Sequence, residues 1–341
     1  MVLSGHARRL VVAAGCVIAT ALSPVAASAA AGTGSAAENY EIADLGTLGG
    51  AYSRAEAVND RGDIVGGSTT AAGEWHAFLW SRGRMMDLGT LGGAYSVALD
   101  INNRGEVVGV SYTESGETYP FLWADGRMTA LEGLNCSAEA INDRGQVIGN
   151  CWFNPVMWEG GRLTYLIGNG LGPNATIRDV NDAGRMVGGY PTDGSLHAYR
   201  RDRRGELVDL GTLGAHFSEA QAVNRRGEVA GYADSISGYQ HAFFWSGGRM
   251  IDIGTLGGLS SVAYGLNDRG QVVGNASVDP TTLRAFVWHR GTMTDLGILP
   301  AGGRRPVSRA VDINRHGLIV GTSSAGGFEW HAVVWRPADH A

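Results

Sequence analysis

Seven copies of one tight-turn motif, Asn-x-x-Gly, run through this chain: Asn59–Gly62, Asn102–Gly105, Asn142–Gly145, Asn181–Gly184, Asn224–Gly227, Asn267–Gly270 and Asn314–Gly317. Asparagine at the first position of a four-residue turn and glycine at the fourth suit a reverse turn between two strands. Successive asparagines stand 39 to 47 residues apart. A period of this length, filled with short apolar runs, is the pattern of a β-propeller with one four-stranded blade per repeat. Glycine supplies 53 of 341 residues and only 18% are charged, which leaves little material for long charged helices.

The second repeat shows the unit. A strand at Ser96–Ile101 ends in the turn Asn102-Asn103-Arg104-Gly105, and a second strand follows at Glu106–Ser111. A variable polar loop leads to a third strand at Tyr119–Trp123, a tight turn at Ala124-Asp125-Gly126 and a fourth strand at Arg127–Leu131. Fourth strands begin near Arg84, Arg127, Arg162, Glu206, Arg249 and Thr292, six for seven repeats. The last repeat ends at Trp335-Arg336 without one, and Tyr40–Leu45 has no repeat before it. The expectation is therefore an all-β fold: a seven-bladed β-propeller, four strands per blade, its ring closed by the N-terminal strand pairing onto Ala332–Trp335. Closure of that kind removes exposed sheet edges.

Residues 1–29 read as a secretory signal: Arg8 and Arg9, an apolar run from Leu10 to Leu22, then Ala27-Ser28-Ala29 as a small-residue cleavage site. Residues 30–39 read as a flexible segment and 40–341 as a single propeller domain. The expected product is secreted, with no membrane insertion after cleavage. All 27 basic residues are arginine, which excludes P-loop, Schiff-base and lysine-nucleophile chemistry. The formal net charge is −6 and becomes more negative once Arg8 and Arg9 leave, so nucleic acid is not an expected partner. Cys136 and Cys151 flank the Asn142–Gly145 turn symmetrically. They face each other across one hairpin, or miss by one residue if the turn carries a bulge, and in an exported protein they are expected to form a local disulfide.

Tryptophan recurs at the end of the third strand (Trp80, Trp123, Trp158, Trp245, Trp288, Trp335), with Arg201 in the fourth repeat; the expected role is packing between blades. At the start of the same strand stand His76-Ala77-Phe78 and His241-Ala242-Phe243, with the variants His197-Ala198-Tyr199, Arg284-Ala285-Phe286 and His331-Ala332-Val333. Over about residues 40 to 336 the chain resembles the HAF-repeat family of extracellular repeat proteins. The resemblance implies an extracellular repeat protein and carries over no catalytic residue. The third repeat departs from it with Asn154-Pro155-Val156.

Function on a scaffold usually sits on variable loops. The loops after the second and fourth strands are the variable ones and share one face, so the working face is expected there, around the mouth of the central channel. Candidate binding residues are Tyr52, Tyr95 and His216 from the loops between blades, and Arg304 and Arg305 from the longest such loop, where paired guanidinium groups suit a carboxylate, phosphate or sulfate. Glu74-Trp75-His76 and Glu329-Trp330-His331 match each other across the closure, which adds Trp75 and Trp330 as aromatic surfaces for a sugar ring or a partner protein. The first strands are expected to line the channel with Arg54, Glu56, Glu139, Arg178, Glu219, Gln221, Tyr264 and Arg309. The histidine column suits strand-end hydrogen bonds better than a metal, because equivalent positions on different blades cannot converge on one ion. No nucleophile elbow, zincin motif, P-loop or calcium loop is present, and no cofactor is expected. The leading expectation is a secreted propeller that binds a carbohydrate or protein partner outside the cell, without chemistry. The alternatives are an extracellular lyase or hydrolase acting on an acidic polysaccharide, and a structural cell-surface or matrix protein.

Overall fold

The computed structural model describes residues 40–168, 171–192, 194–300 and 306–338. The leader, the 30–39 segment, Arg304 and Arg305 lie outside these residues. The described chain is all-β, with 28 strands. A short strand β1 (Tyr40–Asp44) precedes the repeats. The first repeat forms β2 (Gly49–Val58), β3 (Ile64–Thr70), β4 (Trp75–Ser81) and β5 (Arg84–Gly89). The second forms β6 (Gly92–Ile101), β7 (Val107–Thr113), β8 (Thr118–Ala124) and β9 (Arg127–Ala130), and the third β10 (Cys136–Ile141), β11 (Val147–Cys151), β12 (Asn154–Glu159) and β13 (Arg162–Tyr165). Next come β14 (Asp179–Val180), β15 (Met186–Thr192), β16 (Ser195–Arg201) and β17 (Leu207–Gly211), then β18 (Gly214–Val223), β19 (Val229–Ser235), β20 (Gln240–Ser246) and β21 (Arg249–Asp252). The sixth repeat gives β22 (Ser261–Leu266), β23 (Val272–Ser277), β24 (Leu283–His289) and β25 (Thr292–Asp295), and the last β26 (Ser308–Ile313), β27 (Ile319–Gly326) and β28 (Glu329–Pro337). Repeats three to six are separate four-stranded sheets, while the first, second and last are joined into one sheet by single parallel pairings. As the repeat arithmetic requires, β1 pairs antiparallel with β28, from Tyr40 opposite Pro337 to Asp44 opposite Val333.

The repeat residues acquire specific jobs. In each Asn-x-x-Gly turn the asparagine side chain accepts backbone N–H groups from inside its own turn; Asn102 Oδ1 takes those of Arg104 and Glu106 at 3.0 Å. Its amide donates to the carbonyl of the next turn's asparagine, from Asn59 to Asn102, Asn142, Asn181, Asn224, Asn267 and Asn314. Asn314 then donates to Asn59 O at 3.0 Å, so the relay returns to its start. The glycine sits at positive φ (86° at Gly105), where a Cβ would be crowded.

The histidine of each His-Ala-Phe run pairs through Nδ1 with an aspartate on the neighbouring strand: His76 with Asp87, His197 with Asp209, His241 with Asp252, and His331 with Asp44 of β1 at 2.7 Å. The alanine N–H is claimed by a serine of the next repeat; Ala77 donates to Ser96 Oγ, and Ala332 of the last repeat to Ser53 Oγ of the first. The aromatic at the third position is fully buried, as at Phe78, Phe121, Phe243 and Phe286. Trp158, Trp245, Trp288 and Trp335 are buried as well. The core is thus a series of clusters shared by neighbouring repeats, for example Val273, Ile313, Val333 and Trp335 with Ile42 of β1 packed against them.

Cys136 and Cys151 are directly opposite and form a disulfide. The turn between them does carry an extra residue, pairing Ile141 with Val147, and a bulge between Ala138 and Ala140 cancels the offset. The same bulge recurs in β2, β6, β18, β22 and β26. A one-residue insertion of this kind reorients the side chains that precede it, here those nearer the variable loops.

Candidate functional site

On the variable-loop side, four of the expected residues come together. Tyr52 of β2 stands opposite Trp330 of β28, and Trp75 of β4 opposite Tyr95 of β6. Tyr52 N–H donates to Thr69 Oγ1, and Thr69 pairs with Trp75, so the two couples share the edge of the first repeat. Tyr112 extends the row, its ring centroid 4.9 Å from that of Tyr95. Tyr52 and Trp330 are exposed, at 41% and 47%. The indole of Trp75 lies over Gly67, where a Cβ would fall 2.2 Å from its Nε1, and so only glycine admits this ring position. Arg54 stacks on the same indole at 5.5 Å and pairs with Glu56 Oε1 at 2.7 Å. The result is an aromatic crescent over three neighbouring units with a polar pair beneath it.

His216 does not join this group. It is exposed on β18, whose carbonyl at that position accepts from Ser195 of β16. His216 on the fifth repeat thus stands on a different unit from Tyr52 and Tyr95 of the first and second. Burial also raises the Tyr95 phenol above its ordinary pKa, which makes it a poorer base at neutral pH.

Deeper in the channel, opposite charges find each other. Glu219 accepts from Arg178 Nε and Thr176 Oγ1 at 2.9 Å each, and from the Tyr232 hydroxyl at 2.6 Å. Glu139 accepts from Ser137. The Arg309 guanidinium carbon lies over the Tyr264 ring, 3.9 Å from its centroid. Burial pushes the Glu56 carboxyl above its usual range, with Arg54 and Arg309 pulling the other way and Glu139 adding to the rise.

Towards the tight-turn end stand three aspartates that sequence reading passed over. Asp100 accepts from Ile101 N and, across to the third repeat, Ile141 N. Asp179 does the same with Val180 and Val223, and Asp312 with Ile313 and Val58. Each thus staples its own repeat to the next. Burial pushes Asp100 up to about 8, with Asp179 and Asp312 adding to the rise and the backbone donors opposing it. Asp179 is pushed up to about 6 by the same desolvation. The signal was available: two residues before each turn asparagine the column reads Ala57, Asp100, Ala140, Asp179, Ala222, Gly265, Asp312, small residues interrupted by aspartate.

A depression of about 210 Å³ opens at this tight-turn mouth, opposite to the expected working face. Its rim residues are spoken for: Asp60 Oδ1 accepts from Arg315 N, Asp143 Oδ1 from Asn103 N, and Asp268 Oδ1 from Arg225 N. Arg225 also reaches Asp182 at 3.4 Å. Among the described residues no group of His, Cys, Asp and Glu is arranged to hold a metal ion, and no helix is long and apolar enough to cross a membrane.

No family model and no curated protein matches the chain. Among solved structures it is similar to the β-propeller domain of the Trilobed protease from Pyrococcus furiosus, with a TM-score of 0.56 and 12% identity over 85% of this chain and 94% of that one. It is also similar to a puromycin-hydrolyzing peptidase from Mycobacterium tuberculosis, with a TM-score of 0.58 and 15% identity over 87% of this chain and 52% of the other, about half of the peptidase's length. At such identities the likeness carries the fold and no activity. Together with the all-β strand layout, it makes this chain a β-propeller protein.

Proposed function

We propose that this chain is an exported, seven-bladed, closed propeller of the HAF-repeat kind that binds a carbohydrate at the variable-loop mouth of its channel and performs no chemistry on it. Seven blades and closure are supported by the asparagine relay that returns from Asn314 to Asn59 and by the pairing of β1 with β28. Export is supported by the leader-like first 29 residues, and the Cys136–Cys151 bond is compatible with an oxidising compartment. The HAF reading rests on the recurring runs His76-Ala77-Phe78 and His241-Ala242-Phe243 and their variants.

The observation that carries the binding reading is the crescent of Trp330, Tyr52, Trp75 and Tyr95. Aromatic faces bordered by hydroxyl, guanidinium and carboxylate groups match the alternating apolar and hydroxylated surfaces of a sugar chain. Thermal unfolding followed across neutral and acidic oligosaccharides tests it. Saturation at about 100 times the dissociation constant stabilises by about 2.7 kcal/mol. Trp330→Ala and Tyr52→Ala are each expected to weaken the best ligand at least about tenfold, a loss of about 1.4 kcal/mol, while leaving the unliganded Tm in place because both side chains are exposed. A panel in which no glycan raises the Tm removes this reading.

A further inference from the structure

The third repeat carries a surface feature that the channel mouth does not use. β11 turns into β12 through Trp152-Phe153, with Cys151 paired to Asn154 on either side. Both turn residues have positive φ, 49° and 65°. Two consecutive left-handed residues make the hairpin turn for which Asn-Gly is the favoured pair. Tryptophan and phenylalanine are costly there, since their Cβ atoms crowd the backbone. The fold gains little burial in exchange, because Trp152 is 65% and Phe153 74% exposed. The turn is anchored all the same, because Cys151 immediately precedes it and is bonded to Cys136. Leu134, two residues before Cys136, is exposed as well. Strained, exposed and rigidly held aromatic side chains are what recognition sites keep and stability alone would discard.

The charged residues of the adjoining loop and of the corresponding turn in the second repeat are of one sign. Glu132 precedes Leu134, and the corresponding turn of the neighbouring second repeat carries Glu114 and Glu117; all three are exposed. The loops 113–117, 131–135 and 151–154 contain no arginine. We propose that Trp152, Phe153 and Leu134 form a docking knob for a protein partner whose apolar pocket is bordered by lysine or arginine side chains. Aromatic anchors inside a charged rim are the composition of a protein hot spot, and the glutamates set the sign of the partner's rim. The same glutamates repel an anionic bilayer surface. This site lies on the third repeat, outside the crescent of the last, first and second repeats, and stands independently of the carbohydrate reading.

Peptides displayed on phage, panned against the oxidised protein and measured singly by fluorescence anisotropy, test the proposal. The comparison is the double variant Trp152→Asn/Phe153→Gly, which installs the residues that the turn prefers and so folds. The expected result is a set of peptides combining aromatic or aliphatic residues with Lys or Arg, binding more weakly in high salt and at least tenfold more weakly to the variant, whose Tm equals or exceeds that of the parent. Failure to enrich any such sequence, equal binding to the variant, or a lower Tm in the variant overturns it. So does co-sedimentation of the parent, but not the variant, with phosphatidylcholine vesicles, which makes the knob a membrane contact instead.

Discussion

The turn asparagine shows how one side chain can serve two repeats. Asn102 satisfies two N–H groups of its own turn with its oxygen and reaches the next turn's carbonyl with its nitrogen. Asn102→Ala leaves these partly buried groups without their protein partner and is expected to cost about 1 kcal/mol, read as a drop in urea midpoint with little change in slope. The aspartates of the channel act through pH. With folded pKa values of about 8 for Asp100 and about 6 for Asp179, the native state holds protons that the unfolded chain has already released. Stability is then fully present below pH 4 from these groups and falls as pH rises towards 8. The expected outcome is a higher Tm at pH 5 than at pH 8, with the difference reduced in Asp100→Asn whatever that substitution does to absolute stability. A Tm that rises across this range in the parent contradicts the assignment.

At the level of elements, the N-terminal strand and the hairpin staple make separable predictions. Deleting β1 uncovers the edge of β28, removes Ile42 from the cluster around Trp335 and leaves His331 without Asp44. An exposed sheet edge recruits other chains. The truncated protein is expected to unfold at a markedly lower temperature and to elute as oligomers in light-scattering chromatography. The disulfide closes a sequence separation of 15 residues. Loop entropy for such a bridge is worth about 3 kcal/mol, so Cys136→Ser/Cys151→Ser and reductant on the parent should lower the Tm by similar amounts. Two free thiols titrated in the unfolded parent without reductant mean that the bond is not formed in solution.

Over the whole molecule, side-chain character divides by face. Most of the exposed large apolar residues, among them Tyr52, Trp152, Ile236, Phe328 and Trp330, belong to the ends of strands and loops on the variable side. The tight-turn side carries charged turn residues such as Asp60, Arg225, Asp268 and Arg315, engaged with one another. The ends of the described propeller residues meet where Tyr40 pairs with Pro337. A permutant that joins these ends by a short hairpin linker and opens at Ser115-Gly116 makes the last pairing local. It is expected to match or exceed the parent Tm, since the β1–β28 pairing no longer spans the chain. Circular dichroism melts check this.

Strand order, the pairing of Tyr40–Asp44 with the last repeat and the packing role of the tryptophans were legible in the sequence, because period and alternation are local properties that any four-stranded repeat must express. The opposition of Cys136 and Cys151 was only half legible: the turn offset and the strand bulge cancel, and a bulge is a backbone adjustment with no residue signature of its own. The crescent illustrates the same boundary, for Tyr52, Trp75, Tyr95 and Trp330 could be named singly but were joined to one another, and separated from His216, by contacts between repeats. Asp100, Asp179 and Asp312 stood in plain view in their column and meant little until three distant repeats brought them to one channel. What sequence determines here is the unit, since each repeat must bury its own faces. What tertiary structure alone decides is which exceptions to the repeat become neighbours, since that depends on how the units are arranged around the channel.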